Sequence, residues 1–454
     1  MPVMTISDAE YDERIDRLRD ELRSRNIDAA VIYGDERSYE NVRYLCGFAP
    51  IFEMVLLIVS VDEDNPLLVT GLEGADSAVL QTHGIRILSY PPFTVQGMVS
   101  AEPVDLGDLL AIGGIRSGNR VATIGTRYFS AHDMRAPLAA HAVPHFVVQS
   151  IIEMAGNENL VVNASDLMTD SERGLRIRKS AAEIVILEAA NDLATTGLKA
   201  MQAAVQPGIT ETELLGIALS AAPTRVFSYW PIIHLGTDRQ MAGMDGPGDY
   251  VAKAGESCML YYPPTVNGYC ANVGRVQVLA AGPRDLPPSR RDIVPDLFSP
   301  IFSGYVALLR ELRLGVSGDR LWHAATQPIV SAGLATGYEP ASHVGLGEWE
   351  NTFVQQESRV RTASGMVLQA DFTVVSDNPS HGVGQIEDGF ALADHQLRDE
   401  IEQLDAGMWA RVCERRARLA DRNIYLDESV LPLGDLAGRW APYLLDPTNE
   451  LWPD

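Results

Sequence analysis

The chain has 454 residues, 46% hydrophobic and 21% charged, a globular balance with enough length for two cores. Its formal net charge of −25 argues against nucleic acid and anionic membrane as partners and reads as a solvated acidic surface. Four scattered cysteines, Cys46, Cys258, Cys270 and Cys413, make no CxxC pair and no Cys/His cluster, which fits a reduced cytoplasm better than a disulfide framework.

Residues 1–20 are polar and acidic, unlike a signal peptide. The longest apolar stretch, 54–61, is far short of the ~20 residues a membrane span requires. In chain order, Ile15, Leu18 and Leu22 recur at helical spacing within 8–26 and predict an amphipathic helix. Asp28-Ala-Ala-Val-Ile-Tyr reads as a buried strand, 52–61 as a second, and 66–70 as a third beyond the turn 62–65. Helices and strands alternate through Ile87, 121–125 and Val147, so an α/β domain is expected over 1–165, with the polar stretch 161–180 as linker.

Ser180, with Glu183 three residues on, caps a helix predicted over 180–205 and stopped by Pro207-Gly208. Another helix opens at 209–214. Strands are predicted at 226–233, 257–262, 269–279, 366–376 and 389–393, with helices at 301–313 and 319–331. A charged helix over 395–422 and a proline-bearing irregular tail complete a second domain over 166–454. The stretch 260–275 reads as a hairpin cornered by Pro263, Pro264, Asn267 and Gly268. It projects side chains from both strands toward one cleft.

Several stretches together resemble the creatinase/prolidase/methionine-aminopeptidase family (peptidase M24, the pita-bread fold). They are Arg17-Leu-Arg-Asp-Glu-Leu, Ile27-Asp-Ala-Ala-Val-Ile and Asn41-Val-Arg-Tyr-Leu-Cys-Gly-Phe, then Arg178-Lys179-Ser180 with Glu183 and Ile184, and Gln206-Pro207-Gly208-Ile-Thr210-Glu211. Asn267-Gly268-Tyr269 with Arg275, Gly365-Met366-Val367-Leu368, and Gln385-Ile386-Glu387-Asp388 follow in family order. The resemblance implies an α/β creatinase-type amino-terminal domain and an α+β pita-bread catalytic domain, commonly as a homodimer.

Peptidases of this family hold two metal ions with two Asp, one His and two Glu. The matching positions here carry Tyr261, Asn272, Ser342, Asp371 and Glu387. A phenol with an ordinary pKa of about 10, a neutral amide and a hydroxyl cannot balance two divalent cations, so no metal and no other cofactor is expected. A second family histidine, which touches substrate, falls on Trp349, followed by Glu350.

Asp371 and Glu387 are expected to face each other, either as a hydrogen-bonded pair held by Tyr261 and Asn272 or as a clamp or acid/base pair for a nitrogen cation. His343, beside the vacated ligand position, is the first expected base, against the plainer reading of a loop histidine turned away. His234 comes second and His381 third. Tyr261, Tyr262, Asn272, Trp349, Glu350 and Arg239 are expected to line the substrate site, while Arg275 reads as a structural ion pair. In creatinase, the metal-free member, a histidine acts as base in the loop that would follow Gly236. Here 236–245 carries none. The expected function is that of a metal-independent, creatinase-like enzyme cleaving a C–N bond, by hydrolysis or elimination, in a small polar nitrogen-containing metabolite. The alternatives are a catalytically dead binding protein and an Xaa-Pro-type metallopeptidase with a rebuilt site.

Overall fold

The computed structural model describes residues 5–98, 103–224, 226–239, 245–271 and 273–453. They divide into two compact units, Ile6–Arg176 and Ile177 onward. The sequence placed the boundary at 165/166. The difference has a local cause: Arg176 Nη1 donates to Asn41 Oδ1, and Tyr44 donates to the Leu175 carbonyl, so 166–176 packs with the first unit.

In the first unit, helix α1 (Asp8–Ser24) is capped by Ser7 and buries Ile15, Leu18 and Leu22, the stripe that its spacing predicts. The strands are β1 (Ala29–Gly34), β2 (Val55–Ser60), β3 (Leu67–Thr70), β4 (Arg86–Ser89), β5 (Val121–Ile124) and β6 (Val161–Asn163), in the order β4-β3-β2-β1-β5-β6. The β1–β2 and β2–β3 pairs are antiparallel, and β3–β4, β1–β5 and β5–β6 parallel. Helices α2 (Glu40–Cys46), α3 (Leu72–Gln81), α4 (Leu106–Ile112), α5 (His145–Ala155) and the short α6 (Asp166–Thr169) complete it. Val147 lies on α5.

The second unit opens with α7 (Ala181–Ala204), whose Ser180–Glu183 capping box forms as expected, and α8 (Glu211–Ala221), capped likewise by Thr210 and Glu213. Its larger sheet runs β12-β13-β14-β11-β8-β7, with β15 on β14. These are β7 (Ile233–Leu235), β8 (Ser257–Tyr261), β11 (Gly274–Val278), β12 (Ala341–His343), β13 (Val367–Val375), β14 (Val383–Leu392) and β15 (Val430–Pro432), all antiparallel. A small ribbon, β9 (Thr265–Val266) with β10 (Tyr269–Cys270), forms the hairpin tip. Asn267 (φ 49°) and Gly268 (φ 78°) make its two-residue turn, where both central residues need positive φ. Pro263 and Pro264 therefore lie at the bend between β8 and β9, below the tip.

Helices α9 (Ser299–Glu311) and α10 (Gly318–Ser331) pack together; α9 buries Ile301, Phe302 and Tyr305. The charged segment near the carboxyl end is two helices, α11 (His395–Leu404) and α12 (Ala406–Asp421), because Asp405 leaves the helical region and caps α12 through Met408. The expected strand over 226–233 shrinks to β7, β14 begins earlier than the sequence suggested, and β15 was not foreseen.

Candidate functional site

Strand alternation positions the site. Successive side chains on a strand point to opposite faces, and residues directly paired across strands share a face. Asp371 pairs with Glu387, Glu387 with Gly274, and Gly274 with Tyr261. Ser342 pairs with Gln369, two residues before Asp371, and Thr373 pairs with Gln385, two before Glu387. One face of the sheet therefore carries Tyr261, Gly274, Ser342, Gln369, Asp371, Thr373, Gln385 and Glu387.

The carboxylates on this face are buried: Asp371 is 6% exposed and Glu387 1%. Gln385 Nε2 reaches Asp371 Oδ1 and Glu387 Oε2, each at 3.5 Å. The Tyr261 hydroxyl donates to Glu387 Oε1 at 3.5 Å, and its ring stacks on Tyr229 with centroids 5.4 Å apart. Across the site, the Tyr338 and Thr373 hydroxyls lie 2.7 Å apart.

A third carboxylate, Glu348, belongs to this cluster and was not picked out by sequence reasoning. Its Oε1 accepts from Gln369 Nε2 at 3.4 Å. Burial pushes its carboxyl up to about 8, with the Asp371 charge adding to the rise. Burial also raises Asp371 to about 6, against hydrogen bonds from Tyr338, Gln385 and Thr373 that favour the anion. Glu387 is held well above the carboxylate range by burial, then by the Asp371 and Glu348 charges, with Arg275 opposing. At neutral pH the cluster thus retains protons and can act as hydrogen-bond donor as well as acceptor.

Beside the carboxylates, Ser342 Oγ and Gln385 Oε1 have no hydrogen-bond partner among the described residues. Ser342 is fully buried and Gln385 7% exposed. Buried polar atoms are ordinarily paired, so these two are open to a ligand.

The sequence-expected residues divide clearly. His343 is turned away: it pairs with Leu368, on the face opposite Ser342, and its ring lies 5.1 Å from that of Phe353. Tyr262 also faces away from Tyr261; its hydroxyl donates to the Ala222 carbonyl at 2.6 Å. Glu350 Oε2 is held 2.6 Å from Lys179 Nζ in an ion pair whose side chains are each 1% exposed, so it builds the loop rather than the pocket. Arg239 is committed to Glu211 at 2.5 Å and stacks over Tyr250. His381 sits in the turn joining β13 to β14 beside Asn378, beyond the Val375 end of β13, which is itself about 13 Å along the strand from Asp371 at ~3.3 Å per residue.

Trp349 is partly exposed and meets the Tyr338 ring edge-on at 5.8 Å, beside the cluster. His234 pairs with Met259, two residues before Tyr261, and so lies on the site face. Asn272 lies outside the described residues, as do 240–244 of the loop that follows Gly236. Arg275 binds both oxygens of Asp388 and the carbonyls of Gly274, Glu387, Arg439 and Leu436, a structural role.

The two metal ions of the family's peptidases call for carboxylate and imidazole donors. Tyr261 is a neutral phenol, its pKa raised well above 10 by burial and then by Glu387. Ser342 offers a hydroxyl, and among the described residues no three His, Cys, Asp or Glu side chains are arranged to hold an ion. The residues present do not fit a dinuclear centre.

The "Creatinase/Prolidase N-terminal domain" family model matches residues 14–134, and "Metallopeptidase family M24" matches 186–394. No curated protein matches the sequence. Among solved structures, the prolidase from Pyrococcus horikoshii OT3 is similar at a TM-score of 0.66 and 15% identity, over 84% of this chain and 95% of that one. Dipeptidase PepE from Mycobacterium ulcerans gives 0.66 and 20%, over 86% and 94%. The Xaa-Pro dipeptidase from Bacillus anthracis gives 0.63 and 18%, over 85% and 96%. At these identities the likeness is one of fold. With both domain types matched in order, the chain belongs to the M24 creatinase/prolidase family.

Proposed function

We propose that this protein is a metal-independent, creatinase-like hydrolase that holds the cationic end of a small nitrogen-containing metabolite and cleaves one of its C–N bonds. The observation that carries the reading is the cluster of Glu348, Asp371 and Glu387 beside Tyr261 and Ser342, where a dimetal peptidase needs a full ligand set. A guanidinium, amidinium or ammonium would supply the positive charge that this cluster lacks. Tyr229, Tyr261 and Trp349 offer aromatic faces to the same cation. Because the carboxyls retain protons, binding a cation there would expel one.

The test is a titration screen of amidino, ureido and N-acyl amino acids against the full chain, with amine or ammonia release followed in parallel. Binding of the amidino series in preference to the neutral ones, with uptake of the expelled proton by the buffer, is the expected result. Equal binding of neutral and cationic compounds would sink the reading. Metal analysis separates off the metallopeptidase alternative, for which about two equivalents of divalent metal and loss of activity on chelation are required. Tight binding of a cation without turnover would favour the binding-protein alternative, and the outward turn of His343 is the observation on its side.

A further inference from the structure

We infer that His234, through Nδ1, is the proton acceptor of this site and its general base. The catalytic role rests on the C–N cleavage just proposed; the geometry stands by itself. Ile233 and Leu235 of β7 pack into the core with Leu260 and Cys258, so the residue between them projects to the other face. There His234 pairs with Met259 on the face that carries Tyr261. It is 4% exposed.

Its Nε2 lies 3.0 Å from the Asp245 carbonyl oxygen. A carbonyl can only accept, so Nε2 carries the hydrogen, and in the neutral ring Nδ1 keeps its lone pair. Nδ1 is buried with no hydrogen-bond partner among the described residues. A buried acceptor of fixed tautomer on the site face is suited to take a proton from a bound water. His381, by contrast, has its Nε2 taken up by Asn378 at 3.2 Å, and His343 belongs to the opposite face.

The step balances with water as the only co-reactant. His234 Nδ1 takes one proton from a water as the water oxygen bonds to the sp² carbon. The C–N bond then breaks with its electron pair on nitrogen, and Nδ1–H returns the proton there. The water ends as hydroxyl on carbon and hydrogen on nitrogen, and the imidazole is again neutral.

His234→Gln tests this, since its amide can still donate to Asp245 while the Nδ1 acceptor is lost. His234→Asn serves if the first variant does not fold. Long-range ¹H–¹⁵N spectra of the full-length protein, with His234 identified by the signals the variant loses, should show protonated Nε2 and unprotonated Nδ1. On any compound that turns over, kcat should fall about 10²–10⁴-fold with KM little changed. A hydrogen on Nδ1 in the free protein, or wild-type kcat in the variant, overturns the inference while leaving cation binding intact. If no compound turns over, the proposed reaction fails, and with it the role as base.

Discussion

Asp371 and Glu387 stand directly opposite each other on β13 and β14, and the side-chain amide of Gln385 reaches toward both. Two buried carboxylates so placed repel unless a cation or a proton lies between them. In a dimetal enzyme the ions serve. Here the other ligand positions hold Tyr261 and Ser342, and the stable state of the site is a partly protonated cluster that also includes Glu348. In the proposed reading, protons take the place of the ions at this position of the fold.

That arrangement makes stability fall with rising pH. Carboxyls raised in the folded state bind more protons than they do unfolded, so the slope of unfolding free energy against pH is negative between the unfolded and folded pKa values. For Glu348 the window runs from the ordinary carboxylate range, about 4.3, to about 8. Urea unfolding from pH 5 to 9 should show a decline that Glu348→Gln makes shallower. A variant that loses stability with pH as steeply as the parent would show that Glu348 is not held protonated.

The Lys179–Glu350 pair belongs to a different class, with each side chain 1% exposed and the partners at 2.6 Å. Removing one partner of a buried pair strands the other charge, so Glu350→Leu or Lys179→Met alone should cost about 3–5 kcal/mol. The joint change Lys179→Met with Glu350→Leu should recover part of that loss. Unfolding of the three variants, analysed as a double-mutant cycle, measures the coupling; independent losses would disprove it.

The fold was legible because its signals are local and repeated: the α1 stripe, the Ser180–Glu183 box, the Asn267-Gly268 turn and family landmarks in order. The site was legible in its missing ligands but less so in what replaced them. Strand alternation, itself a sequence rule, would have turned both His343 and Tyr262 away once Ser342 and Tyr261 were taken to face inward. Glu348 could not be placed that way. It lies in the irregular Gly347-Glu348-Trp349-Glu350 segment, where no period assigns a face and where Glu350 turns to Lys179 instead.

His343 offers a direct contrast with the residues of the cluster. It is fully buried and packs on Phe353, so His343→Ala should leave a cavity and cost about 2–5 kcal/mol. It should not change the affinity for a cationic ligand, whereas Glu387→Gln, at a site-facing position, should lower that affinity at least tenfold. Calorimetric titration of the two variants separates these outcomes, and loss of binding in His343→Ala with its fold intact would return that residue to the site.

Two glycines give the same distinction by adding a single methyl group on each face of β8. A Cβ at Gly274 would lie 2.6 Å from the Tyr261 ring and 3.1 Å from Glu387 Oε2, inside the site. A Cβ at Gly197 would lie 2.4 Å from the Tyr262 ring, on the other face. Each substitution to alanine overpacks a tyrosine and should cost about 1–3 kcal/mol. Only Gly274→Ala pushes Tyr261 and Glu387 apart, so it should weaken ligand binding at least tenfold while Gly197→Ala leaves it within twofold. Thermal unfolding and titration of the pair would give matched stability losses and opposite binding results. Equal binding losses would mean that the two faces of β8 are not functionally distinct, and the assignment of the site to the Tyr261 face would fall.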